Sequence, residues 1–97
     1  MTNLRIGYGF DVHPLKDGAT LVLGGVTIPY SKGATGHSDA DTLTHAICDA
    51  LLGAANMGDI GVHFPDTDPA LRGVNSQALL QKTVRLIAGK GFGIVNI

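Results

Sequence analysis

In the stretch FDVHPL, Asp11 and His13 stand two residues apart. On an extended chain both side chains leave the same face, roughly 6.5–7 Å apart along the backbone. Two ligands of one cation can be separated by about that much at their Cβ atoms, so a metal accounts for D-x-H on a strand. For the dipeptide alone, a half-exposed Asp–His pair on a solvated face is the more ordinary reading. A third donor, His45, lies in a helical stretch, on the side opposite the apolar residues Leu43, Ile47, Ala50 and Ala54. Asp11, His13 and His45 form an N/O set suited to Zn²⁺. Three protein ligands leave one tetrahedral position open, as in catalytic sites. Asp41 and Asp49 flank His45 at i−4 and i+4. Asp49 is expected to bond the free imidazole nitrogen of His45, fixing its tautomer. An exposed polar helix face is the alternative reading of the same spacing. Cys48 is expected to be a small buried residue, not a ligand.

Two further polar concentrations stand out. His37 and Ser38 immediately precede the helix and offer an imidazole, a hydroxyl and free backbone N–H groups to a phosphate. Asp59, Asp66 and Asp68 share one loop and could receive hydroxyls or a hard cation such as Mg²⁺. Capping and turn chemistry uses the same residue types. His63 reads as a loop histidine without a nameable partner.

The elements that must position these groups follow from periodicity. Residues 4 to 13 alternate. Leu4, Ile6, Tyr8, Phe10 and Val12 fall on one side, and Arg5, Gly7, Gly9, Asp11 and His13 on the other. This predicts a strand with one apolar face, ended by Pro14. Residues 20 to 29 predict a hairpin turning at Gly24–Gly25, and 30 to 40 a polar loop. A helix is predicted from Asp41 to about Ala55, with Leu43, Ala46, Ile47, Ala50, Leu51 and Ala54 inward and Asp39 or Ser38 as cap. A loop spans 56 to 75. A second helix follows over about Ser76 to Ala88, capped by Asn75 and stopped at Gly91, with Leu79, Leu80, Val84 and Ile87 inward. FGIVNI opens another strand.

The bulk numbers restrict the partners. The chain has 97 residues, 44% hydrophobic, with a net charge of −1 and only 7 Lys and Arg, so nucleic acid and anionic membranes are poor partners. No apolar run approaches the roughly 20 residues of a spanning helix. With one cysteine no internal disulfide forms, and a reducing, cytoplasmic setting is expected. One domain over residues 1–97 is expected, and a core of this size is marginal without oligomerisation or metal.

RIGYGFDVHPL, IPYSKGATGHSDADTLTHAICDALLGAANMGDIGVHFPDTDP and SQALLQKTVRLIAGKGF, in this order over residues 4 to 97, closely resemble the 2-C-methyl-D-erythritol 2,4-cyclodiphosphate synthase family of the bacterial non-mevalonate isoprenoid pathway. The resemblance implies an α+β fold with a sheet of about four strands and helices packed on one face. It implies a homotrimer, sheets towards the centre and active sites between subunits. It places Asp11, His13 and His45 on the zinc ligands, and His37 and Ser38 at the substrate's 2-phosphate, with His37 stabilising the transition state. Substrate binding is implied for Asp11, Val12 and His13. Asp59, Ile60 and Gly61 would meet the methylerythritol part, and Phe64, Pro65, Asp66, Thr67 and Asp68 would form a flexible substrate loop. Mg²⁺ or Mn²⁺ would accompany the diphosphate.

The implied reaction is attack of the 2-phosphate of 4-diphosphocytidyl-2-C-methyl-D-erythritol 2-phosphate on the β-phosphorus, with release of CMP. The substrate brings its own nucleophile, so the protein has only to align and neutralise anionic groups. The family's chains run about sixty residues past a point like Ile97. That part carries further strands, much of the cytidine pocket and a Thr-Thr-Glu region. Two rivals stay open. One is a zinc hydrolase using metal-bound water. The other is a metal-stabilised trimeric module or fragment without turnover.

Overall fold

Alternation over residues 4–13 does set two faces, but the covered face is the one without large apolar side chains. The structure, a computed structural model, describes residues 3–97; residues 1 and 2 of the expected domain lie outside the described residues. Residues 5–11 run along the first helix, α1 (Thr42–Ala54). Arg5 Nη1 donates to Ala54 O at 3.4 Å. The backbone of Gly7 packs on Ala50, that of Gly9 on Ala46, and Asp11 reaches His45. Two residues of extended chain advance about 6.6 Å and four residues of helix about 6.0 Å, so contacts stay in step as the two run in opposite directions. A Cβ on Gly7 or Gly9 would overlap the carbonyls of Ala50 or Ala46. Leu4, Ile6, Tyr8, Phe10 and Val12 are consequently exposed, Ile6 at 95%.

Neither residues 4–13 nor residues 92–97 enter a strand ladder among the described residues. The predicted strands there are extended segments whose backbones face no partner strand. Pairing begins just past Pro14, where β1 (Leu15–Asp17) joins β4 (Lys32–Ala34) antiparallel, Lys16 opposite Gly33. Part of the predicted polar loop is thus a strand. The predicted hairpin is present as β2 (Leu21–Leu23) and β3 (Val26–Ile28), Leu23 opposite Val26. Gly24 and Gly25 have φ of 62° and 80°, the left-handed pair that a tight hairpin turn requires. The fold is α+β, and among the described residues four strands form two antiparallel pairs instead of one sheet of about four. The radius of gyration, 14.1 Å, exceeds the roughly 12.5 Å of a compact chain this long, as open extended segments require.

Helix α1 starts one residue later than predicted and is capped by Asp41, not by Asp39 or Ser38. Asp41 is fully buried. Its carboxylate accepts from Thr44 N at 3.0 Å and Thr44 Oγ1 at 2.9 Å, and from the turn amides Gly24 N at 2.9 Å and Gly25 N at 2.7 Å. One side chain thereby pins the hairpin turn to the helix start. Burial pushes its pKa up, but the backbone donors Thr44, Gly24 and Gly25 and the Thr44 hydroxyl outweigh that and hold it below the usual range.

The long helix α3 (Ser76–Gly89) has the predicted cap, Asn75, whose side chain accepts from Gln77 N. Gly91, with φ of 87°, ends it. Helices α1 and α3 form the core along a seam that the apolar pattern places correctly at Leu79 and Ile87 of α3 but misplaces in α1. Thr44, Cys48 and Leu52 are buried from α1, and Leu79, Thr83 and Ile87 from α3, while Leu43 is 49% exposed and Val84 37%. Threonine can replace an aliphatic residue here because its hydroxyl is satisfied locally. Thr83 Oγ1 donates to Leu79 O at 2.9 Å, and Gln77 Nε2 donates to Thr44 Oγ1 at 2.9 Å. Cys48 is buried as predicted, and burial pushes its thiol pKa up. The segment between the helices holds α2 (Ile60–His63) and a 3-10 turn (Pro69–Leu71).

Asp41→Asn is expected to cost about 2–4 kcal/mol, measured by denaturant unfolding at pH 7. A native pKa below the unfolded value stabilises above pH ~4, and that contribution fades as pH falls through the native pKa. The gap between wild type and Asp41→Asn should therefore narrow below pH ~4; a gap independent of pH would contradict this role. Gly9→Val is expected to lower stability by about 3 kcal/mol or more, because the helix carbonyl blocks the added side chain.

Candidate metal centre

The strand-like segment and α1 meet where Asp11 and His13 face His45. Asp11 Oδ2 lies 2.8 Å from His13 Nε2 and 3.1 Å from His45 Nδ1, and the two ring nitrogens are 3.2 Å apart. The imidazole centroids are 5.2 Å apart at an interplanar angle of 62°, so the rings approach one point from different planes. Donors about 2.0–2.1 Å from a tetrahedral cation lie about 3.3 Å from one another, close to this triangle. The donor set, two imidazoles and a carboxylate, fits a borderline cation such as Zn²⁺. Among the described residues, this is the group of His, Cys, Asp and Glu side chains with metal-like convergence.

His45 is only 8% exposed, so it does not lie on a solvated helix face. Its second ring nitrogen, Nε2, lies 2.7 Å from Ser76 Oγ and 3.0 Å from Ser38 Oγ. The expected bond from Asp49 to His45 is not made. Asp49 Oδ1 instead accepts from Ile60 N at 2.8 Å and anchors the start of α2 to α1. Ser76 is the residue that the sequence reading missed. It opens α3, far along the chain from His45, and no local spacing marks it. Ser76 in turn is held by Asp39, which accepts from Ser76 N at 2.9 Å and from the Ser76 hydroxyl.

His37 and Ser38 sit in the loop that leads into α1, and they separate. Ser38 turns to His45, whereas His37 Nε2 donates to Asp68 O at 2.7 Å. The backbone of the same loop is tied to the approach to α3, with Gly73 N donating to His37 O at 2.7 Å and Asp39 N to Val74 O at 3.2 Å. Asp59 caps α2, its Oδ1 accepting from Val62 N at 3.0 Å. Ile60 and Gly61 form the first turn, and Phe64 N closes it on Ile60 O at 2.8 Å. Asp68 N donates to Pro65 O at 3.1 Å, folding a turn that leaves Asp66 and Thr67 exposed. Asp68 then caps the 3-10 turn through Ala70 N at 3.0 Å. Val12 is exposed between Asp11 and His13. His63, without a partner in the sequence reading, meets Met57 O at 2.7 Å through Nε2. No described helix is long and apolar enough to cross a membrane.

Comparison with known proteins agrees with this geometry. The chain is 63% identical over 94 residues to the 2-C-methyl-D-erythritol 2,4-cyclodiphosphate synthase of Desulfatibacillum aliphaticivorans, covering 97% of this chain and 61% of that protein. It is 62% identical over 93 residues to the synthase of the same name from Nitrosospira multiformis, covering 96% of this chain and 52% of that one. The chain thus spans little more than half the length of these relatives. A solved structure of such a synthase in a CDP-bound form superposes with a TM-score of 0.83 at 50% identity, over 90% of this chain and 58% of that one. The Plasmodium falciparum IspF–CDP complex superposes with a TM-score of 0.74 at 39% identity, over 95% of this chain and 55% of that one. The family model described as "YgbB family" matches residues 4–97, and the chain belongs to that family.

Proposed function

We propose that this chain provides the metal centre and part of the substrate site of a 2-C-methyl-D-erythritol 2,4-cyclodiphosphate synthase. The observation that carries the reading is the convergence of Asp11 Oδ2, His13 Nε2 and His45 Nδ1 to within 3.2 Å of one another from two distant segments. Close relatives with that printed name support it. Residues 1–97 are taken as the N-terminal part of one domain of a zinc-dependent enzyme that works as a homotrimer in the bacterial cytoplasm.

The substrate is 4-diphosphocytidyl-2-C-methyl-D-erythritol 2-phosphate. Its 2-phosphate attacks the β-phosphorus, the bond to the CMP oxygen breaks, and a cyclic diphosphate remains. Asp11, His13 and His45 hold the zinc, which when bound supplies Lewis acidity towards a phosphate oxygen. Mg²⁺ or Mn²⁺ would accompany the diphosphate and offset its charge. His37 and Ser38 receive the 2-phosphate, and Asp59, Ile60 and Gly61 the methylerythritol hydroxyls. Residues 64–68 close over the substrate. The bond from His37 to the Asp68 carbonyl couples that loop to the phosphate side, so both segments are positioned together. No side chain serves as nucleophile. Catalysis rests on alignment and on neutralising charge as it shifts to the leaving group.

The test uses the whole protein. With substrate it should release CMP and form a cyclic diphosphate, followed by ³¹P NMR, and in H₂¹⁸O no solvent oxygen should enter the product phosphorus. Asp11→Ala should lower turnover by roughly 100-fold or more while circular dichroism stays native. Solvent ¹⁸O in the product would identify a hydrolase instead. Loss of assembly without any wild-type turnover would identify a metal-stabilised module.

A further inference from the structure

Between His45 and the start of α3 lies a chain of three polar groups: the buried His45 ring, the buried Ser76 hydroxyl and the half-buried Asp39 carboxylate. Asp39 collects donors. Its Oδ1 accepts from Asp41 N at 3.1 Å and its Oδ2 from Ser76 N at 2.9 Å. The contact between Ser76 Oγ and Asp39 Oδ1 needs a hydrogen, and the hydroxyl alone can supply it. A serine hydroxyl has a single hydrogen, so towards His45 Ser76 Oγ can only accept. The 2.7 Å contact between Ser76 Oγ and His45 Nε2 then requires the proton on Nε2. In a neutral imidazole that leaves Nδ1 with its lone pair, able to accept from His13 Nε2 at 3.2 Å; towards the Asp11 carboxylate at 3.1 Å, which has no hydrogen to give, two lone pairs face each other and a cation is the group that reconciles them.

We infer that Ser76, held by Asp39, is a positioning residue that fixes His45 in the Nε2–H tautomer and so presents Nδ1 as a ligand. Ser76 and His45 are both buried, at 0% and 8% exposure, so no bulk water competes for the bond. Ser38 Oγ, at 3.0 Å from Nε2, is the weaker neighbour. It lies further away, and among the described residues its hydroxyl has no carboxylate partner and otherwise accepts from Ala40 N at 3.4 Å. The relay spans three elements, the loop before α1, α1 itself and the first residue of α3. The packing of α3 thereby sets the chemistry of a ligand on α1. The inference rests on the proposed metal reading, but the tautomer is a property of the protein without the ion.

The test labels histidine with ¹⁵N in the whole protein, freed of metal, and reads the His45 ring nitrogens by long-range ¹H–¹⁵N correlation. Wild type should have a pyrrole-like Nε2 and a pyridine-like Nδ1. Ser76→Ala should give a mixture of tautomers, and Ser76→Thr should restore the wild-type pattern. Asp39→Asn, which removes one acceptor oxygen but keeps the side-chain shape, should shift His45 the same way as Ser76→Ala. Competition for Zn²⁺ with a chromophoric chelator should report an affinity lower by roughly 10–100-fold in Ser76→Ala, recovered in Ser76→Thr. The inference is overturned if wild-type His45 carries its proton on Nδ1. It is equally overturned if both Ser76→Ala and Asp39→Asn, folded by circular dichroism, leave the ring signature unchanged. Failure of wild type to bind Zn²⁺ overturns the metal reading alone, and the ring signature still decides the relay.

Discussion

The close approach of a glycine-bearing extended backbone to an alanine row is the constraint on which the rest of the structure depends. Gly7 and Gly9 lie directly against Ala50 and Ala46, and Arg5 extends the row to Ala54. Extended chain and helix advance by nearly equal steps, two residues against four, so the contact holds its register over several turns. Asp11, the next residue on that face, reaches His45, which neighbours Ala46 on α1, with His13 beside it. The metal-like triangle is thus a consequence of backbone packing. Larger side chains at residues 7 and 9 would lift the segment and separate Asp11 and His13 from His45.

Aspartates do most of the remaining positioning, and they do it on backbone amides. Asp41 ties the hairpin turn to the start of α1. Asp49 ties α2 to α1, and Asp39 ties α3 to the loop before α1. Asp59 and Asp68 each cap a short helical turn. Each bond satisfies a backbone donor that a helix end or a turn leaves without a partner. In a chain with only 97 residues and many exposed apolar groups, these tethers do what a larger core would do elsewhere. Together with carbonyl bonds they also fix the site loops: residues 36–39 to the start of α3 through Asp39, residues 59–63 to α1 through Asp49, and residues 68–74 to the loop before α1 through His37 and Asp39.

Much of this was legible in the sequence wherever the signal was local. The Gly24–Gly25 turn, the Asn75 cap, the Gly91 stop and the extent of α3 to within a residue all follow from short-range pattern, whereas the grouping of Asp11 and His13 with His45, 32 to 34 residues away, rests on donor chemistry and the family resemblance. What was not legible depends on distant neighbours. Alternation over residues 4–13 defines two faces but not which is covered, and here the face of glycine, Asp and His is covered because it meets α1. Helical periodicity in α1 favoured Leu43 and Ile47 as the inward residues. The seam instead follows Thr44, Cys48 and Leu52, since α3 presents Thr83 opposite and both hydroxyls are satisfied nearby. Asp49 had the right helical spacing to serve His45, but the amide of Ile60 claims it. Ser76 carried no signal at all, because its bond to Asp39 spans 37 residues of chain.

The central claim is that Asp11, His13 and His45 share one divalent cation, and diffraction at the zinc absorption edge tests it most directly. Crystals of the whole protein grown with Zn²⁺ should give an anomalous peak about 2 Å from Asp11 Oδ2, His13 Nε2 and His45 Nδ1. A map without a peak among these three atoms, or with zinc bound through His45 Nε2 instead, would contradict the account.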